Sequence, residues 1–113
     1  MILTNKHIFR RLIKKNRGNK KLIDSIEKLI KDIEKSNWKT PNEILEIRPD
    51  ADSVYGGKFY FFNINIHRTL ILVEFDDNGE ATIVWAGNHD EYEMTFKNNR
   101  TVIKKWLKSN HWI

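Results

Sequence analysis

Residues 68–92 read RTLILVEFDDNGEATIVWAGNHDEY, and the way this stretch divides decides the fold. Arg68 to Phe75 and Ala81 to Ala86 are β-branched and aromatic runs of strand length. Between them Asp76-Asp77-Asn78-Gly79 is a hairpin signal, because an Asn-Gly pair accepts the positive φ angles of tight turns. Thr69-Leu70-Ile71-Leu72-Val73 has apolar side chains on both faces, which fits a central strand with helices on one side and a second cover on the other. After His89 the pattern turns helical. The stretch thus encodes two antiparallel strands and sets an imidazole, two carboxylates and a phenol (His89, Asp90, Glu91, Tyr92) at a strand end, in reach of Arg68.

Upstream, Phe59 to Ile66 reads as a third strand, and residues 49–57 (PDADSVYGG) read as a loop. Thr40-Pro41-Asn42-Glu43 predicts a capping box with proline at the first helical position, opening a short helix through Ile47 that Pro49 stops. The clearest helix covers about 20–37, with Leu22, Ile26, Leu29, Ile30 and Ile33 on one stripe and Lys, Asp and Glu on the other. Asn16-Arg17-Gly18-Asn19 separates it from a helix over 5–16 that Thr4 would cap, and Met1 to Leu3 suits a short first strand. Downstream, Val102, Ile103, Trp106 and Leu107 share one face of a helix ending near Ser109, and His111-Trp112-Ile113 forms an apolar end suited to docking. The expected fold is α+β: two N-terminal helices packed on a small, mostly antiparallel sheet, with a C-terminal helix.

A chain of 113 residues supports one hydrophobic core, so a single domain over 1–113 is expected. It has no cysteine, which excludes disulfides and thiolate metal sites and fits a reducing cytosol. The start MILTNKHIF lacks the apolar run of a signal peptide, and no segment has the length of a membrane span. A cytoplasmic protein is expected. Twenty basic against 15 acidic residues give a formal charge of +5, which favours a polyanionic partner or an acidic protein.

The hairpin fixes which residues can meet. With a two-residue loop Arg68 faces His89. With a four-residue loop it faces Gly87, diagonal to His89. Both registers keep Arg68 and His89 on one side of the sheet, because a shift of two preserves the face; a three-residue loop would not. Arginine presents planar charged donors to phosphate oxygens, and histidine titrates near neutrality and serves as acid or base. Tyr92 can donate a hydrogen bond or stack on a base. Lys58 and His67 would add charge, making Lys58, His67 and Arg68 candidate RNA contacts. Ordinary structural readings compete: an incidental His89, an Arg68 paired with Glu91 or Glu74, a half-buried Tyr92 and solvated Glu91 and Glu93. A zinc site from His67, His89, Asp90 and Glu91 lacks the His-x-x-x-His or cysteine spacing that would support it. No glycine loop cradles a phosphate and no serine sits in a nucleophile elbow, so no cofactor is expected.

Taken together, Phe61-Phe62-Asn63-Ile64, then Arg68-Thr69-Leu70, then Val84-Trp85-Ala86-Gly87-Asn88-His89-Asp90-Glu91-Tyr92-Glu93 resemble the HigB-type toxins of bacterial toxin–antitoxin pairs, in the RelE-like superfamily. Ser36 to Pro41 and Pro49 to Ser53 resemble that family's helix-to-sheet connection; the likeness spans about residues 1–97, with the same order of helices and strands. It implies a ribosome-dependent, metal-independent endoribonuclease that cleaves mRNA in the ribosomal A site. It also implies inhibition by a helix-turn-helix antitoxin of the HigA type, and contact with operator DNA only through that antitoxin. Under it Arg68 holds the scissile phosphate, His89 and Tyr92 take part in cleavage, Glu91 orients or accepts a proton, and Lys58 is a looser carry-over. The alternative is a non-catalytic module on the same fold that binds RNA, ribosome or partner protein. The chain departs from the pattern at Asn65-Ile66-His67, which shortens the hairpin before the arginine, and at Asn88 and Glu93. Residues 98–113 are a C-terminal helical extension beyond the common core.

Overall fold

The computed structural model describes residues 1–113. Five strands, β1 (Ile2–Thr4), β2 (Asp52–Tyr55), β3 (Phe59–Ile64), β4 (His67–Val73) and β5 (Glu80–Gly87), form one sheet in the order β1-β5-β4-β3-β2. The helices are α1 (His7–Lys15), α2 (Lys20–Lys35), α3 (Pro41–Ile47), α4 (His89–Phe96) and α5 (Arg100–Ser109). The sheet is mixed, since β1 runs parallel to β5 and the other pairs are antiparallel. No helix is long and apolar enough to cross a membrane.

The central strand is covered on both faces, as its sequence requires. Ile71 and Val73 of β4 join Tyr60, Phe62 and Ile64 of β3 in a core roofed by α1 and α2 through Phe9, Leu12, Leu22, Ile26, Leu29 and Ile33. Leu70 and Leu72 point the other way, with Phe59, Phe61 and Trp85, into a second core closed by Tyr92, Phe96, Ile103 and Leu107 of α4 and α5. The cover on the second face is therefore the C-terminal helix pair. Trp38 is buried against Phe62, while Trp85, Trp106 and Trp112 pack around the second core.

Several local expectations change. Thr4 caps no helix: its hydroxyl donates to Thr82 Oγ1 at 3.1 Å, and Lys6 sits at the α1 N-cap without a side-chain cap bond. The residues expected as a loop at 49–57 contain β2, because Asp52 and Ser53 find backbone partners in Phe61 and Tyr60 on the open edge of β3. Short and polar at its ends, β2 lacks the run of apolar residues that marks a strand in sequence. α2 stops at Lys35 rather than residue 37; the Ser36 hydroxyl donates back to the Asp32 carbonyl and the backbone turns extended. Thr40 accepts from the Glu43 backbone N–H at 3.4 Å, but Glu43 Oε2 accepts from Lys39, one residue before the cap, so the reciprocal box does not close. The C-terminal segment is two helices, parted at Lys97 and Asn98, both in the left-handed conformation (φ 52° and 45°).

The β4–β5 hairpin reaches the four-residue register by another route. Glu74 N–H donates to Glu80 O, which leaves five residues, Phe75 to Gly79, in the connection. An odd connection alone would have set Arg68 opposite Ala86. Between Ile71↔Ile83 and Leu70↔Trp85, however, β5 carries one extra residue, Val84, as a bulge. Beyond it Arg68 faces Gly87, and the arginine stays on the face of α4 and α5.

Candidate active site

β3, β4 and β5 bring Asn63, Arg68 and Gly87 abreast at one end of the sheet. Gly87 has a steric reason to be glycine: a Cβ there would lie 2.7 Å from the Trp85 ring and 3.2 Å from Glu91 Oε1. Trp85 folds across that position, edge-on to Phe61 and Phe96, so the strand exit is backed by aromatic rings.

α4 starts immediately after. Asn88 Oδ1 accepts from Glu91 N–H at 2.8 Å, and Glu91 Oε1 accepts from Asn88 N–H at 2.9 Å, closing a full capping box. Glu91 is thereby committed to starting the helix. His89 occupies the first helical position, two residues beyond Gly87, the residue that faces Arg68, and its side chain is 70% exposed. Three residues on, Tyr92 points back to the sheet and is 2% exposed.

The Tyr92 ring is the hub. The guanidinium carbon of Arg68 lies 4.7 Å from its centroid and 5.7 Å from that of Phe61. The His89 ring stacks at 6.4 Å and 24° to Tyr92, on the exposed side. Phe61 meets the phenol edge-on at 5.0 Å. Arg68 forms no ion pair, neither with Glu74 nor with Glu91, so its charge is uncompensated at a half-buried position. His89 Nε2 approaches only Glu93 Oε1, at 3.9 Å.

The Tyr92 hydroxyl donates to Asn98 Oδ1 at 3.0 Å, at the lip of a cavity of about 80 Å³ lined also by Asp52, Val54, Arg100 and Ile103. Burial raises the Tyr92 pKa above the ordinary phenol value, only partly offset by the nearby Arg68 cation, so the phenol stays protonated at neutral pH. Asn98 and Arg100 were not among the residues singled out in the sequence. Arg100 Nη1 donates to the Ser53 carbonyl and ties α5 to β2. Asn98 offered one sequence signal, the Asn98-Asn99 pair ahead of an apolar stripe, which marks a helix break and cap; its contact with Tyr92 depends on the left-handed turn.

Two of the expected site residues lie elsewhere. His67 alternates away from Arg68 onto the α1–α2 side of the sheet, is 4% exposed and leaves Nδ1 without a partner. Burial lowers its pKa, with a smaller opposing pull from Glu91, so it adds no charge beside Arg68 at neutral pH. Lys58 is exposed at the far end of β3, level with Val73, roughly 16 Å along the strands from the Asn63–Arg68 pair at about 3.3 Å per residue. His67, His89, Asp90 and Glu91 do not converge into a group that could hold a metal ion.

A clamp on the neighbouring strand steadies this end of the sheet. Arg48 Nη2 donates to Asp50 Oδ2 and to the Asn63 carbonyl, each at 2.9 Å, and Asp50 Oδ2 accepts from Asn63 N–H at 2.8 Å. Asn63 is the cross-strand partner of Arg68, so the clamp fixes the backbone beside the free guanidinium.

Among known proteins, a family model described as HigB_toxin, RelE-like toxic component of a toxin-antitoxin system, matches residues 23–95. No curated protein and no solved structure matches the chain. The matched span runs from α2 through α4 and contains Arg68, His89, Glu91 and Tyr92; α1 and α5 lie outside it. It covers well over half of the chain, and the chain belongs to the HigB toxin family, the RelE-like toxic components of toxin–antitoxin systems, whose counterpart is an antitoxin.

Proposed function

We propose that this toxin is a metal-independent endoribonuclease that cleaves mRNA in the A site of the ribosome, in the cytoplasm, and is neutralised by a HigA-type helix-turn-helix antitoxin. The observation that carries the reading is the unpaired Arg68 guanidinium held over the Tyr92 ring, with the exposed His89 imidazole stacked on the same ring. In this reaction the ribose 2′-oxygen attacks the adjacent phosphorus, the bond to the 5′-oxygen breaks, and the products are a 2′,3′-cyclic phosphate and a 5′-hydroxyl. The 2′-hydroxyl proton leaves to a base and the departing 5′-oxygen receives one from an acid; His89 fills one of these roles.

Arg68 stabilises the charge that gathers on the phosphorane, where a planar, permanently charged group acts without reorganising. Tyr92 acts through its ring, as the platform that orients Arg68 and His89, because its hydroxyl is engaged by Asn98. Glu91 contributes by starting α4 and so aiming His89. Residues 98–113 serve as a C-terminal extension of the one domain. Asn98 and Arg100 support this division of labour, since they brace Tyr92 and β2.

The test is translation-linked mRNA cleavage by purified toxin on programmed ribosomes. Arg68→Ala is expected to lower the cleavage rate by roughly 10²–10³-fold, the range for removing one transition-state donor, and His89→Ala to change the pH dependence of what remains. Full cleavage by both variants overturns the site. Absence of cleavage by the unaltered chain, with ribosome or antitoxin binding intact, overturns the nuclease in favour of a binding module.

A further inference from the structure

The charge of this chain is segregated. Residues 1–23 hold eight Lys and Arg side chains and no Asp or Glu, while the remaining 90 residues hold 12 basic against 15 acidic. The whole positive surplus therefore belongs to α1 and the start of α2, a segment almost entirely outside the span matched to the toxin family. Lys6 is the one cation here with an acidic partner, Glu34 at 2.9 Å. Arg10, Arg11, Lys14, Lys15, Arg17, Lys20 and Lys21 are all exposed and form no ion pair. Arg10 and Lys14, and Arg11 and Lys15, are each one turn apart, so the charges line one side of α1 instead of circling it.

The ridge adjoins the site. A cleft of about 290 Å³ between α1 and the end of β5 is walled by Arg11 and Lys15 on one side, floored by Trp85 and Ala86, and closed by Glu91 of α4. Glu91 stands between His89 and Tyr92 in sequence, so the cations of α1 reach the first turn of the helix that carries the imidazole.

We infer that this face of α1 is an RNA-docking surface that grips the phosphate backbone away from the scissile bond and leads the strand toward His89. The inference rests on the nuclease reading for its purpose and on charge for its partner. An acidic protein would also be attracted, but protein interfaces draw their affinity from buried apolar or aromatic anchors. The cation-bearing flank of α1 offers none: the large exposed apolar side chains are Ile2, Leu45, Ile47, Ile66, Met94 and Ile113, none of them from α1 or α2, and the apolar lining of the cleft, Ile8, Leu12, Val84, Trp85 and Ala86, is buried or half-buried within the fold. Phosphate contacts need only spaced cations and are read in salt dependence.

The experiment measures binding of a fluorescein-labelled, mixed-sequence single-stranded RNA by anisotropy over a series of salt concentrations, without ribosomes and with the 113-residue chain carrying Arg68→Ala to suppress residual cleavage. Replacing Arg10, Arg11, Lys14 and Lys15 together with Gln is expected to weaken binding at least about tenfold and to flatten the slope of log affinity on log salt by about 0.7 for each phosphate no longer neutralised. The comparison variant replaces Lys104, Lys105 and Lys108, exposed on α5, with Gln; its slope should stay near that of the parent. Equal losses in both variants would mean net charge alone, and an unchanged slope in the α1 variant, or a loss of antitoxin affinity without loss of RNA affinity, would also overturn the proposal. If the nuclease reading fails but the α1 slope changes, the ridge stands as an RNA surface without chemistry beside it.

Discussion

The Arg68 guanidinium sits 4.7 Å above the Tyr92 ring with no carboxylate to neutralise it. An arginine held by a π-face keeps its full charge for a ligand, whereas one held by a carboxylate would have to break that pair first. Cation–π contacts of this kind contribute about 0.5–2 kcal/mol. A double-mutant cycle with Arg68→Ala and Tyr92→Leu, followed by chemical denaturation, should return a coupling energy in that range. Tyr92→Phe keeps the ring and removes the hydroxyl, so it should cost about 1 kcal/mol through the missing Asn98 bond while leaving cleavage near the parent rate. Loss of cleavage in Tyr92→Phe would show that the hydroxyl itself takes part.

Gly87 is the tightest point of the site. Its missing Cβ leaves room for the Trp85 ring, and both Trp85 and Glu91 are held by other contacts. Gly87→Ala should therefore destabilise by about 1–3 kcal/mol, as overpacking does, and should reduce cleavage beyond what the stability loss explains, because the start of α4 must shift. Thermal melting together with the cleavage assay separates the two. A melting temperature equal to that of the parent would contradict this packing.

His67 makes stability depend on pH. Its pKa is lowered in the folded protein by burial, so the unfolded chain binds its proton more readily. The neutral form favours folding; its full contribution is present above the unfolded value of about 6.5 and is lost progressively as pH falls from there toward the folded value. Denaturation followed from pH 7.5 down to pH 5 should show this decline in the parent and a flatter profile in His67→Leu. An identical slope in the two proteins would place the acid sensitivity elsewhere.

What the sequence made legible was what repeats or pairs locally. The stripe of α2, the three long strands and the Asn-Gly turn all declare themselves through periodicity or turn chemistry, and Arg68 and His89 do meet on the Tyr92 ring. What it hid depended on distant partners. β2 exists because β3 has an open edge, not because DSVY is a strong strand former. Asn98 finds Tyr92 only after two left-handed residues turn the chain. His67 was expected beside Arg68 because it is adjacent in sequence, but adjacent residues on a strand face opposite ways, and only the burial of the α1–α2 side shows which of the two is hidden. Lys58 opens the strand that pairs with Arg68's own, but five residues of strand separate its level from that of the arginine.

The bulge at Val84 ties two remote places to one outcome. The turn at Asp76 to Gly79 lies at the opposite end of the hairpin from Arg68, yet its five-residue connection and the extra residue in β5 together decide that Gly87, and not Ala86, stands opposite the arginine. Gly87 is the one position there without a side chain, so the count leaves the guanidinium beside bare backbone where a methyl group would otherwise stand.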